Sequence, residues 1–192
     1  MAVKLILASN SPRRRELMSL VGYKYEVIPS NASELTDGEI PSELVRINAL
    51  NKAKEVYDRV GGGSVVVGAD TVVCYNGNIL GKPKDVCDAK AMIKMLSSTT
   101  HEVITGYAVV GDMGEKSDAC VTKVKFRNLT DEEIDAYVKT LEPMDKAGAY
   151  GIQEKGCLLA ESFEGDYFNI VGLPVSRVYE MLKDYGVTPD WM

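Results

Sequence analysis

SVVVGADTVVCYNGNILGKPKD, residues 64 to 85, fixes how the rest of the chain is read. Its opening is a nearly continuous run of apolar, mostly β-branched side chains, the composition of a buried strand, interrupted by Gly68-Ala69-Asp70-Thr71. Asn76-Gly77 then suits a hairpin turn, since both residue types tolerate positive φ. The acid in the middle of the run needs a reason, because carboxylates are seldom buried without a partner or a metal. Asp70 reads either as a strand-end cap bonded to nearby amides or as a metal ligand or general base held by a rigid strand. Gly68 would let a ligand or another backbone approach closely.

Upstream, VKLILA (3 to 8) reads as an opening strand and SPRRRELMSL (11 to 20) as a helix. Ser11 fits the N-cap, Pro12 the first helical position, and Leu17, Met18, Leu20 and Val21 an apolar stripe that stops at Gly22. Arg13, Arg14 and Arg15 therefore stand where the helix dipole disfavours cations, which calls for an anion to explain them. A strand over 24 to 29 precedes an irregular polar stretch, and a helix from Pro41 to Val60 is halted by the glycines at 61 to 63. Downstream follow a helix over 86 to 98 and long strands over 101 to 110 and 115 to 126. Thr130 and Glu133 then form a capping box for a helix reaching Lys139, before a strand over 157 to 163 and a helix over 174 to 185. Alternating elements with adjacent long strands predict an α/β domain with a mixed sheet.

The chain has 192 residues, enough for one large domain or two lobes sharing a core. Its formal charge of -6 argues against a broad nucleic-acid surface, although a small phosphorylated ligand needs only a local cluster of cations. The four cysteines are widely spaced, with neither a CxxC pair nor a neighbouring histidine, so they read as reduced and mostly buried. The N-terminus lacks signal-peptide form, and no stretch approaches the roughly 20 apolar residues of a membrane span; a cytoplasmic protein is expected.

Other candidates are graded by what competes with them. Lys82, presented by Pro83, suits a phosphate contact or a solvated surface, and Lys52 with Lys54 reads as a helix face. Glu34, Glu39 and Glu43 cannot be ranked by spacing as partners of Asp70 around a divalent cation. In EPMDKAGAYGIQEKG (142 to 156), Gln153 can donate and accept at a base edge or simply face water. Asp166 is a further candidate acid, while His101, the only histidine, has no nucleophile partner and reads as structural. Cations for phosphates and carboxylates for a metal together point to a polyanionic small molecule, as a nucleoside triphosphate hydrolase requires.

Six blocks, LILASNSPRRRELM (5 to 18), VVGADTVV (66 to 73), ILGKPKD (79 to 85), HEVITG (101 to 106), EPMDKAGAYGIQ (142 to 153) and GDYFNIVGLP (165 to 174), resemble the Maf family of nucleotide pyrophosphatases in order and nearly end to end. The resemblance implies a single domain over 1–192 with two lobes, an elongated mixed sheet flanked by helices and a central cleft, similar to the inosine triphosphate pyrophosphatases. It implies hydrolysis of nucleoside triphosphates to the monophosphate and pyrophosphate with a divalent metal, Mg or Mn, in the removal of noncanonical nucleotides or control of pools. Asp70 falls on the family's proton acceptor, and Ser9, Arg13, Arg14, Lys52 and Lys82 fall on its substrate-binding positions. The anion awaited by the arginines is then the triphosphate.

Arg13, Thr71 and Gln153 follow the pattern of the dTTP/UTP-acting branch rather than that of members acting on 7-methyl-GTP. Where many members carry two adjacent acids, this chain has Ser33-Glu34, leaving Glu34 as the expected metal ligand beside Asp70. The implied reaction is in-line attack of water on the α-phosphorus, with Asp70 as base or metal ligand and Lys82 near the departing pyrophosphate. Alternatives are the same chemistry on another base and a nucleotide-binding regulator of cell division without turnover; a homodimer is expected from the resemblance alone.

Overall fold

The computed structural model of the chain describes residues 3–36 and 40–192; Glu39 lies outside the described residues. The elements run β1 (Lys4–Leu7), α1 (Pro12–Leu20), β2 (Glu26–Val27), α2 (Pro41–Val60), β3 (Ser64–Tyr75), β4 (Asn78–Leu80), α3 (Val86–Leu96), β5 (Thr100–Gly111), β6 (Gly114–Phe126), α4 (Asp131–Val138), β7 (Ala160–Glu164), α5 (Tyr167–Val171) and α6 (Val175–Lys183). The strands form a mixed sheet in the order β2-β1-β3-β5-β6-β7, with β4 paired to β3. β1 pairs in parallel with β2 and β3, whereas β3 with β4 and β6 with β7 are antiparallel. The expected α/β class with a mixed sheet flanked by helices is the fold found.

Two glycines decide how one helix lies on this sheet. A Cβ on Gly68 would stand 2.2 Å from the Ala49 carbonyl oxygen, and one on Gly106 would stand 2.1 Å from that of Val45. Neither space admits a side chain, so α2 packs its backbone directly against β3 and β5. The close approach that Gly68 permits is therefore to a helix. Leu44, Val45, Ala49, Ala53 and Val56 are buried, as the apolar pattern of α2 requires. Gly68 and Asp70, two residues apart, share one face of β3, so the same contact brings the 48–52 turn of α2 to Asp70.

The chain divides into two compact units, Met1–Asp70 with Thr105–Cys120 and Gly172–Met192, and Thr71–Ile104 with Val121–Val171. The first has a core cluster around Ile6, Ala49, Val56, Val66 and Ala108. The second has one around Ile93, Leu96, Phe126, Ile134 and Tyr150. Asp85 and Thr130 cap their helices through side-chain oxygens, and the Thr130–Glu133 capping box is complete.

Several expectations are corrected. β3 is not interrupted at 68–71, because Gly68 is needed inside the strand for helix contact; Asp70 is accordingly mid-strand, and the strand-end reading fails. Ser11 precedes α1 without capping it through its side chain, and Leu20 is exposed rather than part of an apolar stripe. β2 covers only Glu26–Val27, two residues rather than the expected 24 to 29. β7 starts at Ala160, since residues Lys155–Leu158 form a 3-10 turn, and the short α5 was not expected. All four cysteines are free, but Cys87 and Cys157 are exposed; only Cys74 and Cys120 are buried.

Candidate functional site

Asp70 is buried, with its side chain 12% exposed, and both carboxylate oxygens are engaged from α2. Oδ1 accepts from Lys52 Nζ at 2.7 Å and Oδ2 from Asn48 Nδ2 at 2.9 Å. Lys52 and Asn48 lie four residues apart, one turn of the same helix face, so both arrive together once Gly68 admits the helix. Lys52 Nζ also meets Glu34 Oε1 at 2.6 Å, giving one ammonium between two carboxylates. Of these, Glu34 is the exposed member, its side chain 57% accessible, whereas Lys52 is 13% accessible. Thus, of the acids that spacing could not rank, Glu34 joins Asp70 through Lys52, while Glu43 pairs with Arg46 at the exposed start of α2.

The arginine-headed helix enters the same unit from β1. Arg14 Nε donates to the Gly172 carbonyl at 2.8 Å, and its Nη1 donates to the Ala69 carbonyl at 2.9 Å and to Ser9 Oγ at 3.2 Å. Those bonds pin the first turn of α1 beside the residue preceding Asp70. Burial pushes the Arg14 guanidinium below its ordinary pKa, and Asp70 and Glu34 oppose that shift while neighbouring Arg13 adds to it. Ser9 is buried and also accepts from the Ser11 amide at 3.2 Å. Arg15 turns away, exposed, with Nη2 on the Asn10 carbonyl at 2.8 Å. Ser9, Arg13, Arg14, Glu34, Lys52 and Asp70 therefore all belong to one unit, in which Lys52 pairs with both Glu34 and Asp70 and the Arg14 guanidinium feels the charge of Arg13, Glu34 and Asp70.

Thr71, Lys82, Gln153 and Asp166 belong to the second unit. Thr71 is half-buried on β3, and Lys82 is exposed beside a buried Pro83. The Gly148 amide donates to the Gly81 carbonyl at 3.0 Å, tying the Lys82 loop to the segment that leads to Gln153. Gln153 is exposed. Its loop is held by a buried acid: Glu142 Oε2 accepts from the Lys155 amide at 3.1 Å, and Oε1 accepts from the Gly156 amide and the Tyr137 hydroxyl, each at 3.0 Å. Asp166 Oδ1 accepts from the Phe168 amide at 2.8 Å, so that carboxylate starts α5.

Asn48 and Glu142 are the polar residues that sequence reading passed over. Asn48 carried a signal, an amide on the otherwise apolar face of α2 one turn before Lys52. Glu142 had none, since two of its three partners are backbone amides placed only by the folded loop and the third is the Tyr137 hydroxyl.

The donor set suits a hard divalent cation: two carboxylates already converge on a positive group, and both supply oxygen only. Among the described residues no group of three or more His, Cys, Asp or Glu side chains gathers to hold such an ion, so this pair of carboxylates would need water and ligand oxygens beside it. Nor is any described helix long and apolar enough to cross a membrane.

A family model described as "Maf-like protein" matches residues 4–185. The dTTP/UTP pyrophosphatase of Acetivibrio thermocellus is 49% identical over 195 residues, covering 97% of each chain. That of Thermococcus onnurineus is 50% identical over 182 residues, covering 95% of this chain and 97% of its own. Among solved structures, the Ham1 protein of Staphylococcus aureus superposes with a TM-score of 0.56 at 15% identity, over 95% of this chain and 99% of its own. The HAM1 protein of Coxiella burnetii gives 0.52 at 15% identity, over 95% and 100%. These two likenesses concern the fold.

Proposed function

Because this chain belongs to the Maf family, we propose that it hydrolyses dTTP and UTP to the nucleoside monophosphate and pyrophosphate. The observation that carries the reading is the Lys52 ammonium held between Glu34 and Asp70, with Arg14 bonded to the strand one residue before Asp70. A triphosphate brings several negative charges, and Arg13 and Arg14 at the N-terminus of α1, with Lys52 from the middle of α2, supply the compensating field. Ser9 adds a hydroxyl to that cradle.

Asp70 takes the proton of the attacking water. The water oxygen bonds to the α-phosphorus as the bond from that phosphorus to the α–β bridging oxygen breaks, and pyrophosphate leaves with the electron pair. Lys82 compensates the charge of the leaving group, while Arg13 and Arg14 hold the charge building on the α-phosphate oxygens. Glu34 and Asp70 would hold Mg or Mn, with water and phosphate oxygens completing its shell. When bound, the ion supplies charge neutralisation and a more acidic water. Asp166, whose oxygen starts a helix, is assigned no role in the step. Thr71, directly after Asp70, and Gln153 contact the uracil or thymine edge, so base reading and the reacting phosphate are set by adjacent positions of one strand. The proposal extends to a cytoplasmic homodimer built from one Maf-like domain.

Pyrophosphate release from dTTP, UTP, CTP, 5-methyl-UTP, pseudo-UTP, GTP and 7-methyl-GTP, with magnesium or manganese, tests the reading. The expected result is selective turnover of dTTP and UTP that disappears in Asp70→Asn. Turnover confined to another base discards the selection argument, and nucleotide binding without release at any metal concentration replaces the enzyme by a regulator.

A further inference from the structure

Asp70 and Glu34 reach the site from different kinds of structure. Asp70 sits in the middle of a sheet strand, whereas Glu34 sits in residues 31–36, which adopt neither helix nor strand. Such a segment holds a side chain in place only if its backbone is tied down. Asn48 ties it: Oδ1 accepts from the Leu35 amide at 2.8 Å, and Nδ2 donates to the Leu35 carbonyl at 3.0 Å. The second Nδ2 hydrogen goes to Asp70 Oδ2 at 2.9 Å. Asn48 is 2% exposed, while Leu35 is 47% exposed, so the anchor is the backbone pair rather than burial of the leucine.

We propose that Asn48 is a positioning residue that sets the Asp70 carboxylate and the Glu34-bearing segment in one register; this rests on the reading of Asp70 as the acceptor of the water proton. The Leu35 N–H requires an acceptor and the Leu35 carbonyl a donor, which orients the carboxamide and leaves one N–H for Asp70. Rotation of the amide breaks all three bonds at once. Asn48 holds Oδ2 through an amide that is itself fixed to the Leu35 backbone, whereas Lys52 meets Oδ1 through a flexible side chain, so the amide keeps the orientation of the Asp70 carboxylate when the ammonium turns to phosphate. Aspartate at position 48 would lack both donors and place a second carboxylate against Asp70. Leucine fits the apolar face of α2 but would leave both Leu35 backbone groups without their partners.

Steady-state kinetics with UTP and residue-resolved amide exchange, on wild type, Asn48→Leu, Asn48→Ser and Asp70→Asn, test the assignment. In either Asn48 variant, kcat is expected to fall about 10- to 100-fold with KM within about threefold, because misplacement of a reacting group acts on the chemical step. Exchange at the Leu35 amide is expected to quicken about tenfold or more, while amides of α2 beyond Lys52 keep their protection. The serine variant, smaller than the site, gives the same measurement should leucine disturb packing. Wild-type kcat in the two folded variants overturns the proposal, as does a loss of kcat accompanied by faster exchange throughout α2. If Asp70→Asn itself works at full rate, the reading of Asp70 falls; if it is inactive beside full-rate Asn48 variants, only the role of Asn48 falls.

Discussion

Two carboxylates are buried to nearly the same degree in the two units, Asp70 at 9% and Glu142 at 8% exposure, and their partners differ in kind. Glu142 is held by two backbone amides and a tyrosine hydroxyl, all neutral and all fixed by the chain around them. Asp70 is held by an asparagine amide and by a lysine shared with an exposed acid. The first arrangement leaves little for a ligand to replace. In the second, a flexible ammonium can move to a phosphate and expose a carboxylate for other work. Burial of an acid thus says little by itself, and the mobility of its partner separates scaffold from site. The largest effect should follow from breaking this contrast on the Asp70 side. Asp70→Asn keeps the shape of the residue, and Lys52 can turn to Glu34 rather than face the new amide N–H, so turnover is expected to fall about 10²- to 10⁴-fold while the melting temperature stays near that of the parent. A comparable loss of stability instead would place Asp70 with Glu142.

His101 sharpens the same contrast with a group that titrates. It is 2% exposed, its Nε2 lies 2.8 Å from the Tyr150 hydroxyl, and its ring meets Phe126 and Tyr150 edge-on at 4.9 and 5.3 Å. Burial pushes its pKa down to about 4. The unfolded chain, near the ordinary value of about 6.5, therefore binds the proton first as the pH falls. The stability that neutral His101 supplies is complete above that ordinary value and is lost progressively toward pH 4, amounting to about 3 kcal/mol. Chemical denaturation of wild type and His101→Phe across this range measures it: wild type should lose about 3 kcal/mol more than the variant between the ordinary histidine pKa and about pH 4. A smaller effect is expected at Glu142, where the carboxamide of a Glu142→Gln variant would keep one acceptor and turn a donor toward a backbone N–H. Glu142→Gln should cost about 1 to 3 kcal/mol in urea unfolding, with Asp70 chemistry retained.

The elements legible in the sequence were those set locally. Proline and glycine bracket α2, Asn76-Gly77 turns the hairpin, and the Thr130–Glu133 box starts α4, each through neighbours a few residues away. What escaped depends on contacts distant in the chain. β3 continues through Gly68 because α2 presses on it, and β7 begins late because residues 155–158 wind into a turn bonded to Glu142. The site divides in the same way. Charged residues drew notice as charges, and Glu34, Lys52 and Asp70 do meet. Asn48, neutral and surrounded in sequence by apolar residues, became visible only when its three partners converged.

Gln153 carries the smallest expected effect and tests where scaffold ends and site begins. Its side chain is exposed, but its loop is fixed on both sides, by the Gly151 amide on Tyr137 and by the Lys155 and Gly156 amides on Glu142. Uracil presents a donor at N3 and an acceptor at O4, and cytosine reverses both, so an amide that donates and accepts favours one base only when its position is held. Removing it forfeits one solvent-accessible hydrogen bond, and Gln153→Ala should reduce the UTP-over-CTP ratio of kcat/KM about tenfold or less, with unfolding unchanged. Glu142→Gln should leave that ratio near the parent value if the loop keeps its shape through Tyr137. If instead Glu142→Gln erodes selectivity as much as Gln153→Ala does, the scaffold acid governs base choice through the loop. The line between scaffold and site would then run through the Glu142 bonds to Lys155 and Gly156.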